Sequence, residues 1–222
     1  MDGTLVDTER LWDIAVFELA EHMGRPLDDS TRERTLGNSL QGFFEILGEY
    51  TGRTIEGEEY ARLAHRLNSR VTELMRSDMR WRPGAVELLE DLSATRMPVA
   101  LVTNTTDDVA VVPLEFIDTS RFDVVVTGSM VPAGKPAPDP YLLACERLGV
   151  DPAATVAVED SVTGATSAVT AGCRVLYVPS TEGQPDVPGA RTHPTLVGVD
   201  TARLSALTSE TAAGTAVEQS NV

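Results

Sequence analysis

Residue types that handle phosphate recur at four places in the sequence, each beside an apolar run. The first is Asp2-Gly3-Thr4-Leu5-Val6-Asp7, and the second, Thr103-Asn104-Thr105, follows MPVALV. The third, Gly134-Lys135-Pro136, precedes DPYLLACERLG. The fourth, Glu159-Asp160-Ser161, follows ATVAV and leads to Gly164 and Ala171-Gly172. The chemistry that would use this set is phosphoryl transfer, in which catalysis is mainly positioning and neutralisation of charge. Two acidic side chains at a strand end suit magnesium, which takes hard oxygen ligands and keeps several waters. A lysine offers a compact positive charge to phosphate oxygens. A Thr-Asn pair at a helix start offers hydroxyl and backbone N–H donors to an anion. Each cluster alone also has a plain reading: a turn at Asp2-Gly3-Thr4, a helix cap at Asp160 or Ser161, a solvated lysine at 135. Their order along the chain, each in the right context, is what points to chemistry. No Ser-His-Asp arrangement is evident, and His22, His65 and His193 fit no metal spacing.

These clusters need elements to hold them. From Arg82 onward, the Val-rich runs MPVALVT, FDVVVTG, ATVAVED and CRVLYVP alternate with the helical stretches PGAVELLEDLSATR, DDVAVVPLEFID, DPYLLACERLG and SVTGATSAVTAG. Continuous apolar strands alternating with helices predict a parallel sheet covered on both faces. Right-handed crossovers make this a doubly wound α/β fold, with its site at the carboxyl ends of the strands. Residues 8 to 80 are instead helix-rich: Leu11, Ile14, Ala15, Phe17 and Leu19 recur with helical spacing, and SLQGFFEILGEY and GEEYARLAHRLNSRVTELMRSDM continue the pattern. The expected organisation is a core of residues 1–14 and 80–207, a helical cap of 15–79 joined near 8–15 and 77–83, and a mobile tail of 208–222.

The 222 residues suffice to bury a proper core. The net charge of −16, from 34 acidic and 18 basic residues, argues against a sequence-independent grip on nucleic acid. It also requires a local cation to hold an anionic substrate. No run approaches the roughly 20 apolar residues of a membrane span, and the N-terminus lacks the pattern of a secretory signal. Cys145 and Cys173 lie in apolar segments and read first as two buried free thiols of a cytoplasmic protein, with one disulfide as the other reading.

DGTLVDT, LVTNT, GKPAPDPYLLA and VEDSVTG with its following Ala and Ala-Gly resemble, in order and spacing, the four motifs of the haloacid dehalogenase superfamily. The closest likeness is to the branch that includes beta-phosphoglucomutase and phosphoglycolate phosphatase, and it runs to about residue 205. The resemblance implies a Rossmann-like core with a mobile cap inserted after the first motif. It also implies magnesium and an aspartyl-phosphate intermediate, formed on the enzyme by transfer from a small phosphorylated metabolite, in a monomer. The first motif of that family reads Asp-x-Asp-Gly-Thr, and here Met1 takes the x position. By resemblance Asp2 is the general acid and base, and its backbone carbonyl a metal ligand. Thr103 binds the phosphoryl group beside the Asn104 backbone, Lys135 neutralises nucleophile and phosphate, and Asp160, helped by Glu159, holds magnesium.

No residue precedes Met1 in the sequence as given, so the nucleophile position and the first core strand are absent from it. The expectation is a natural start upstream of Met1, with an apolar strand ending in Asp, and an inactive chain with a gap in its sheet when that strand is left out. A phosphohydrolase leads. A sugar-phosphate mutase of the same family and a catalytically silent scaffold of the same fold stay open beside it. For substrate contact the candidates are Gly37, Asn38, Ser39 and Gln41, which also read as a turn with a helix cap at Asn38 or Ser39.

Overall fold

The computed structural model describes residues 1–181 and 183–209; most of the tail expected to be mobile lies outside them. The N-terminal helices are α1 (Glu9–His22), α2 (Asp29–Thr35), α3 (Leu40–Thr51) and α4 (Gly57–Asp78). On α1 the buried stripe is Leu11, Ala15 and Leu19, with Val16 and Ala20 beside it. Ile14, expected on that stripe, is instead exposed. On α4, Leu63, Leu67, Val71 and Met75 fall every fourth residue and are all but fully buried, the single face that helical spacing dictates. Burying four such side chains stabilises the cap by about 6–12 kcal/mol, at about 1.5–3 each. Side-chain oxygens set two of the helix starts. Asp28 accepts from Thr31 N at 2.7 Å and Ser39 from Gly42 N at 3.1 Å. Gly52 closes α3 in the left-handed region, at φ 69°.

The chain crosses between cap and core at two places that pair with each other. Asp7 N donates to Arg80 O at 2.8 Å, and Arg82 N to Leu5 O at 2.8 Å, around a fully buried Val6. The first crossing is therefore shorter than expected: α1 has begun by Glu9, so residues 9–15 are helix rather than linker. The cap cluster is not sealed from the core, because two valines of a core helix, Val109 and Val112, join it.

The remaining elements alternate: α5 (Ala85–Ser93), β1 (Ala100–Val102), α6 (Asp107–Ile117), β2 (Val124–Val126), α7 (Asp139–Leu148), β3 (Val156–Glu159), α8 (Val162–Thr170), β4 (Arg174–Tyr177), β5 (Ala190–Thr192) and α9 (Thr201–Ser209). All four Val-rich runs contain strands, and every strand pairing is parallel. The three-residue β5, which is mostly exposed, has no apolar run to announce it. The helix α9 includes Thr208 and Ser209, which were expected to lie in the tail.

The sheet is in two pieces. Among the described residues β1 pairs only with β2, while β3, β4 and β5 form a separate three-stranded sheet. Between the free edges of β1 and β3 lies an apolar cavity of about 450 Å³, walled by residues 99–102 and 154–158 and by Leu88, Leu89 and Met1. Protein interiors rarely leave voids larger than a water, so a space of this size between two strand edges is unusual. Met1, only 8% exposed, closes one end of it.

Candidate active site

The four motifs meet around a second cavity, of about 110 Å³, between the core and the cap. The first motif enters through a tight turn in which Leu5 N and Val6 N donate to Met1 O at 2.9 and 3.3 Å. Gly3 sits at φ 65°, and a Cβ there would stand 2.0 Å from Asp160 Oδ2. Only glycine lets this turn approach that carboxylate so closely.

Three hydroxyls fix the Asp2 carboxylate. Thr8 Oγ1 donates to Oδ1 at 2.8 Å, Thr105 Oγ1 to Oδ2 at 2.8 Å, and Thr103 Oγ1 reaches Oδ2 at 3.4 Å. Thr103 also accepts from Thr105 N at 3.1 Å, which orients its hydroxyl. Asp160, 6% exposed, accepts from Thr4 Oγ1 at 2.8 Å. Burial, and next the charge of Glu159, raises its pKa to about 6. A buried carboxylate short of positive charge has room for a cation.

Lys135, also 6% exposed, donates from Nζ to Val102 O at 3.1 Å and to Glu159, which accepts from the Tyr141 hydroxyl as well. Both bonds fall on Oε1 of Glu159, which lines the cavity beside Asp160. Gly164 leaves it space, since a Cβ there would stand 2.0 Å from its Oε2. Burial and the adjacent Glu159 hold the Tyr141 hydroxyl well above its usual range, so it stays a donor. The Met1 ammonium stands within the field of Lys135, Asp2, Glu159 and Asp160, with its pKa lowered by burial first and by Lys135 second.

The Asn104 side chain has a part of its own, separate from the one expected of its backbone. Its side chain donates to Gly37 O at 2.9 Å and to Lys135 O at 3.1 Å, and accepts from Lys135 N at 2.7 Å. It clamps the Lys135 loop to the cap loop. Of the cap candidates, Gly37, Asn38 and Ser39 line the cavity. Ser39 is also the cap of α3, whereas Gln41 points outward and bonds Glu45 at 2.9 Å. Ser161 serves likewise as the cap of α8, accepting from Gly164 N at 3.0 Å, which leaves Asp160 for the site.

Sequence reasoning gave no role to Thr8, Thr105, Tyr141, Glu9 or Arg32. Thr8, Thr105 and Tyr141 lie inside the motifs DGTLVDT, LVTNT and GKPAPDPYLLA and could have been read from them. Glu9 and Arg32 lie in helical stretches that carry no local sign of a site.

The donor set suits magnesium in kind. Asp2 and Asp160 offer hard carboxylate oxygens, and magnesium is commonly held by one or two carboxylates with water and substrate phosphate. Among the described residues no three His, Cys, Asp or Glu side chains close on one point. No helix among them is long and apolar enough to cross a membrane.

The chain is 36% identical over 179 residues to a phosphorylated carbohydrates phosphatase of Thermotoga maritima, covering 80% of this chain and 81% of that protein. It is 35% identical over 188 residues to a probable pseudouridine-5'-phosphatase of Drosophila melanogaster, covering 81% and 79%. Its structure is similar to that of CbbY from Rhodobacter sphaeroides in complex with phosphate, with a TM-score of 0.78 and 26% identity over 92% of this chain and 96% of that one. A mutant of CbbY has been solved with xylulose-1,5-bisphosphate. The haloacid dehalogenase-like hydrolase family matches residues 1–178, with all four motifs inside that span, and the chain belongs to it.

Proposed function

We propose that the site hydrolyses a small phosphate monoester with the help of magnesium. The observation that carries this reading is the arrangement of Asp2. It is held by three hydroxyls in the same cavity as buried Lys135 and Asp160. The named activities of the relatives support a phosphorylated carbohydrate or similar metabolite as substrate.

Lys135 would meet the phosphoryl oxygens, and Thr103 and Thr105 would direct hydroxyls toward the same point. By resemblance the attacking carboxylate is that of the first Asp of the family's first motif, two positions before the residue that Asp2 matches. Its oxygen bonds to phosphorus as the ester P–O bond breaks, and Asp2 gives its proton to the leaving oxygen. Water then attacks the acyl phosphate, Asp2 takes the water's proton, and inorganic phosphate leaves. Magnesium, held through Asp160 and the first-motif turn, would supply positive charge to the transferring group. The two buried thiols are in keeping with a cytoplasmic setting.

The test is a chain extended before Met1 by an apolar strand ending in Asp, assayed on para-nitrophenyl phosphate. Turnover should require magnesium, cease with EDTA, and fall about 10²–10³-fold in Asp2→Asn, the usual range for losing one proton-transfer or charge-stabilising group. Equal turnover in Asp2→Ala would overturn the role of Asp2. Turnover indifferent to EDTA would overturn the magnesium.

A further inference from the structure

The cap side of the active-site cavity carries one cation, and that cation is already neutralised. Arg32 of α2 is 7% exposed, and each of its three guanidinium nitrogens is engaged. Nε donates to Asp13 Oδ1 at 2.7 Å, Nη2 to Glu9 Oε2 at 3.2 Å, and Nη1 to Thr35 Oγ1 at 2.9 Å. Among the described residues the only other cationic side chain lining the cavity is Lys135, committed to the first phosphoryl group. The other groups on the cap side are neutral: Thr35, Asn38, Ser39 and Asn68 can hydrogen-bond, while Trp12 and Phe43 offer flat apolar surface.

From this we infer that the substrate bears a single phosphate on an otherwise uncharged, hydroxyl-bearing body, and that bisphosphates and phosphorylated carboxylic acids are rejected. The inference rests on the phosphatase reading and adds the substrate class. A second anion at the cap end would lose its water and find an arginine paired with two carboxylates. It would meet net negative charge if Glu9 is ionised, and no spare cation if Glu9 is protonated. Burying a charge without a partner is among the most costly steps in recognition. The chain's net charge of −16 acts in the same direction at longer range. Neutral hydroxyls carry no such penalty, because Asn and Ser or Thr side chains can both donate to them and accept from them.

The same feature separates hydrolysis from mutase chemistry. Moving a phosphoryl group between two positions of one sugar through an enzyme carboxylate requires a bisphosphorylated sugar midway. The acyl phosphate P–O bond breaks, a new P–O bond forms to the second hydroxyl, and that hydroxyl's proton passes to Asp2. A site that cannot hold both phosphates releases the species on which the second half of the reaction depends. Transfer to water needs no second anion site.

The experiment is titration calorimetry of the chain, with magnesium, against inorganic phosphate, fructose 6-phosphate and fructose 1,6-bisphosphate. The sugar monophosphate should bind at least about tenfold more tightly than the bisphosphate, since like charges brought together without compensation cost a factor of this size or more. Asp13→Asn should narrow that ratio by freeing positive charge on Arg32, and Glu9→Gln should do the same at pH 9, where Glu9 is ionised. Asp13 is 44% exposed, so its change puts the fold at little risk. A bisphosphate bound as tightly as the monophosphate, or a ratio unmoved in both variants, overturns the inference and leaves the phosphatase reading standing. Inorganic phosphate bound without fructose 6-phosphate overturns the hydroxylated class alone. Binding of none of the three removes the phosphate site itself, and both readings fall together.

Discussion

Met1 stands in the walls of two cavities that share no other residue. Above it, the space of about 110 Å³ is lined by carboxylates, hydroxyls, Lys135 and Arg32, nearly all of them bonded to one another. Below it, the slot of about 450 Å³ is lined mainly by Val, Leu, Ala and Met between two unpaired strand edges. The contrast separates two tasks of this fold. Polar satisfaction arranges the site, and it is nearly complete without a ligand. Apolar burial and strand pairing hold the sheet together, and on the β1–β3 side they are not complete.

The largest effect should come from filling the slot. An N-terminal extension that lays four apolar residues between β1 and β3 would bury about 1.5–3 kcal/mol per side chain, or about 6–12 in all. Ordering four residues costs about 1–2 kcal/mol each. Ladder hydrogen bonds to two edges return about 1 kcal/mol apiece. The net gain is on the order of 5 kcal/mol, comparable with the lower end of the 5–15 kcal/mol total of a domain. Urea unfolding should show a higher midpoint and a larger m-value for the apolar extension, and neither for a Gly-Ser extension of equal length. Equal midpoints would mean that the slot does not accept a strand, and the contrast between the cavities would lose its meaning.

Next come two charged groups that line the polar cavity. In an active extended chain, Lys135→Ala and Asp160→Asn should each lower turnover by about 10²–10³. Their stabilities should part. Losing Lys135 leaves Glu159 buried without its cation, at about 3–5 kcal/mol. Asp160→Asn removes a charge that burial already disfavours, as its pKa of about 6 records, so the metal-free protein should hold or gain stability at pH 7. Raised magnesium should restore part of the activity of Asp160→Asn and none of Lys135→Ala. Equal rescue of both would contradict the separate roles.

The two cavities also differ in how much of them is legible in the sequence. The strands show as Val-rich runs, and the polar residues following those runs locate Asp2, Thr103, Lys135 and Asp160, because strand carboxyl ends gather at one edge of a parallel sheet. Side-chain direction is not legible in this way. Nothing local says that Glu159 turns to Lys135 while Asp160 turns to the Gly3 turn; packing against Gly164 and Gly3 decides it. Nor does sequence reveal that Asn104 spends its amide on two loops. Glu9 and Arg32 were invisible because they meet across 23 residues and two helices.

A smaller effect is the pH dependence that Glu9 confers on the polar cavity. Only 17% of its side chain is exposed, toward the cavity; burial first, and the charge of Asp160 second, raise its pKa to about 8. The sign follows from proton counting. Between its ordinary value of 4.5 and about 8 the folded protein holds a proton that the unfolded chain has released. Stability contributed by the protonated form is therefore present at low pH and lost as pH rises through that window. Thermal melts of metal-free protein from pH 5 to 8 should show a falling Tm, and Glu9→Gln should flatten the fall. A Tm unchanged by the substitution at pH 8 would show that Glu9 carries no such burden.

The smallest effects test how the cap is tied to the polar cavity. Ser39 and Ser161 are both helix caps, each accepting one backbone N–H, so alanine at either should cost about 1 kcal/mol. Beyond that they differ. The Ser39 hydroxyl bonds the start of α3, in a partly exposed setting, while its Cβ, which alanine keeps, lies against Gly134. Ser161 is 5% exposed and packs against Gly37, where a Cβ would stand 2.3 Å from its Oγ. The cap loop bearing Gly37 is bound to the core through Asn104 and through Thr163, whose hydroxyl donates to Leu36 O at 3.2 Å. Ser161→Ala removes an oxygen from beneath that loop, so amide exchange of residues 36–39 should quicken more in Ser161→Ala than the loss of global stability explains. In Ser39→Ala the faster exchange should be confined to the first turn of α3. Exchange quickened alike in both variants across residues 36–39 would mean that the loop responds to cap stability in general, and that Ser161 has no particular hold on the cover of the polar cavity.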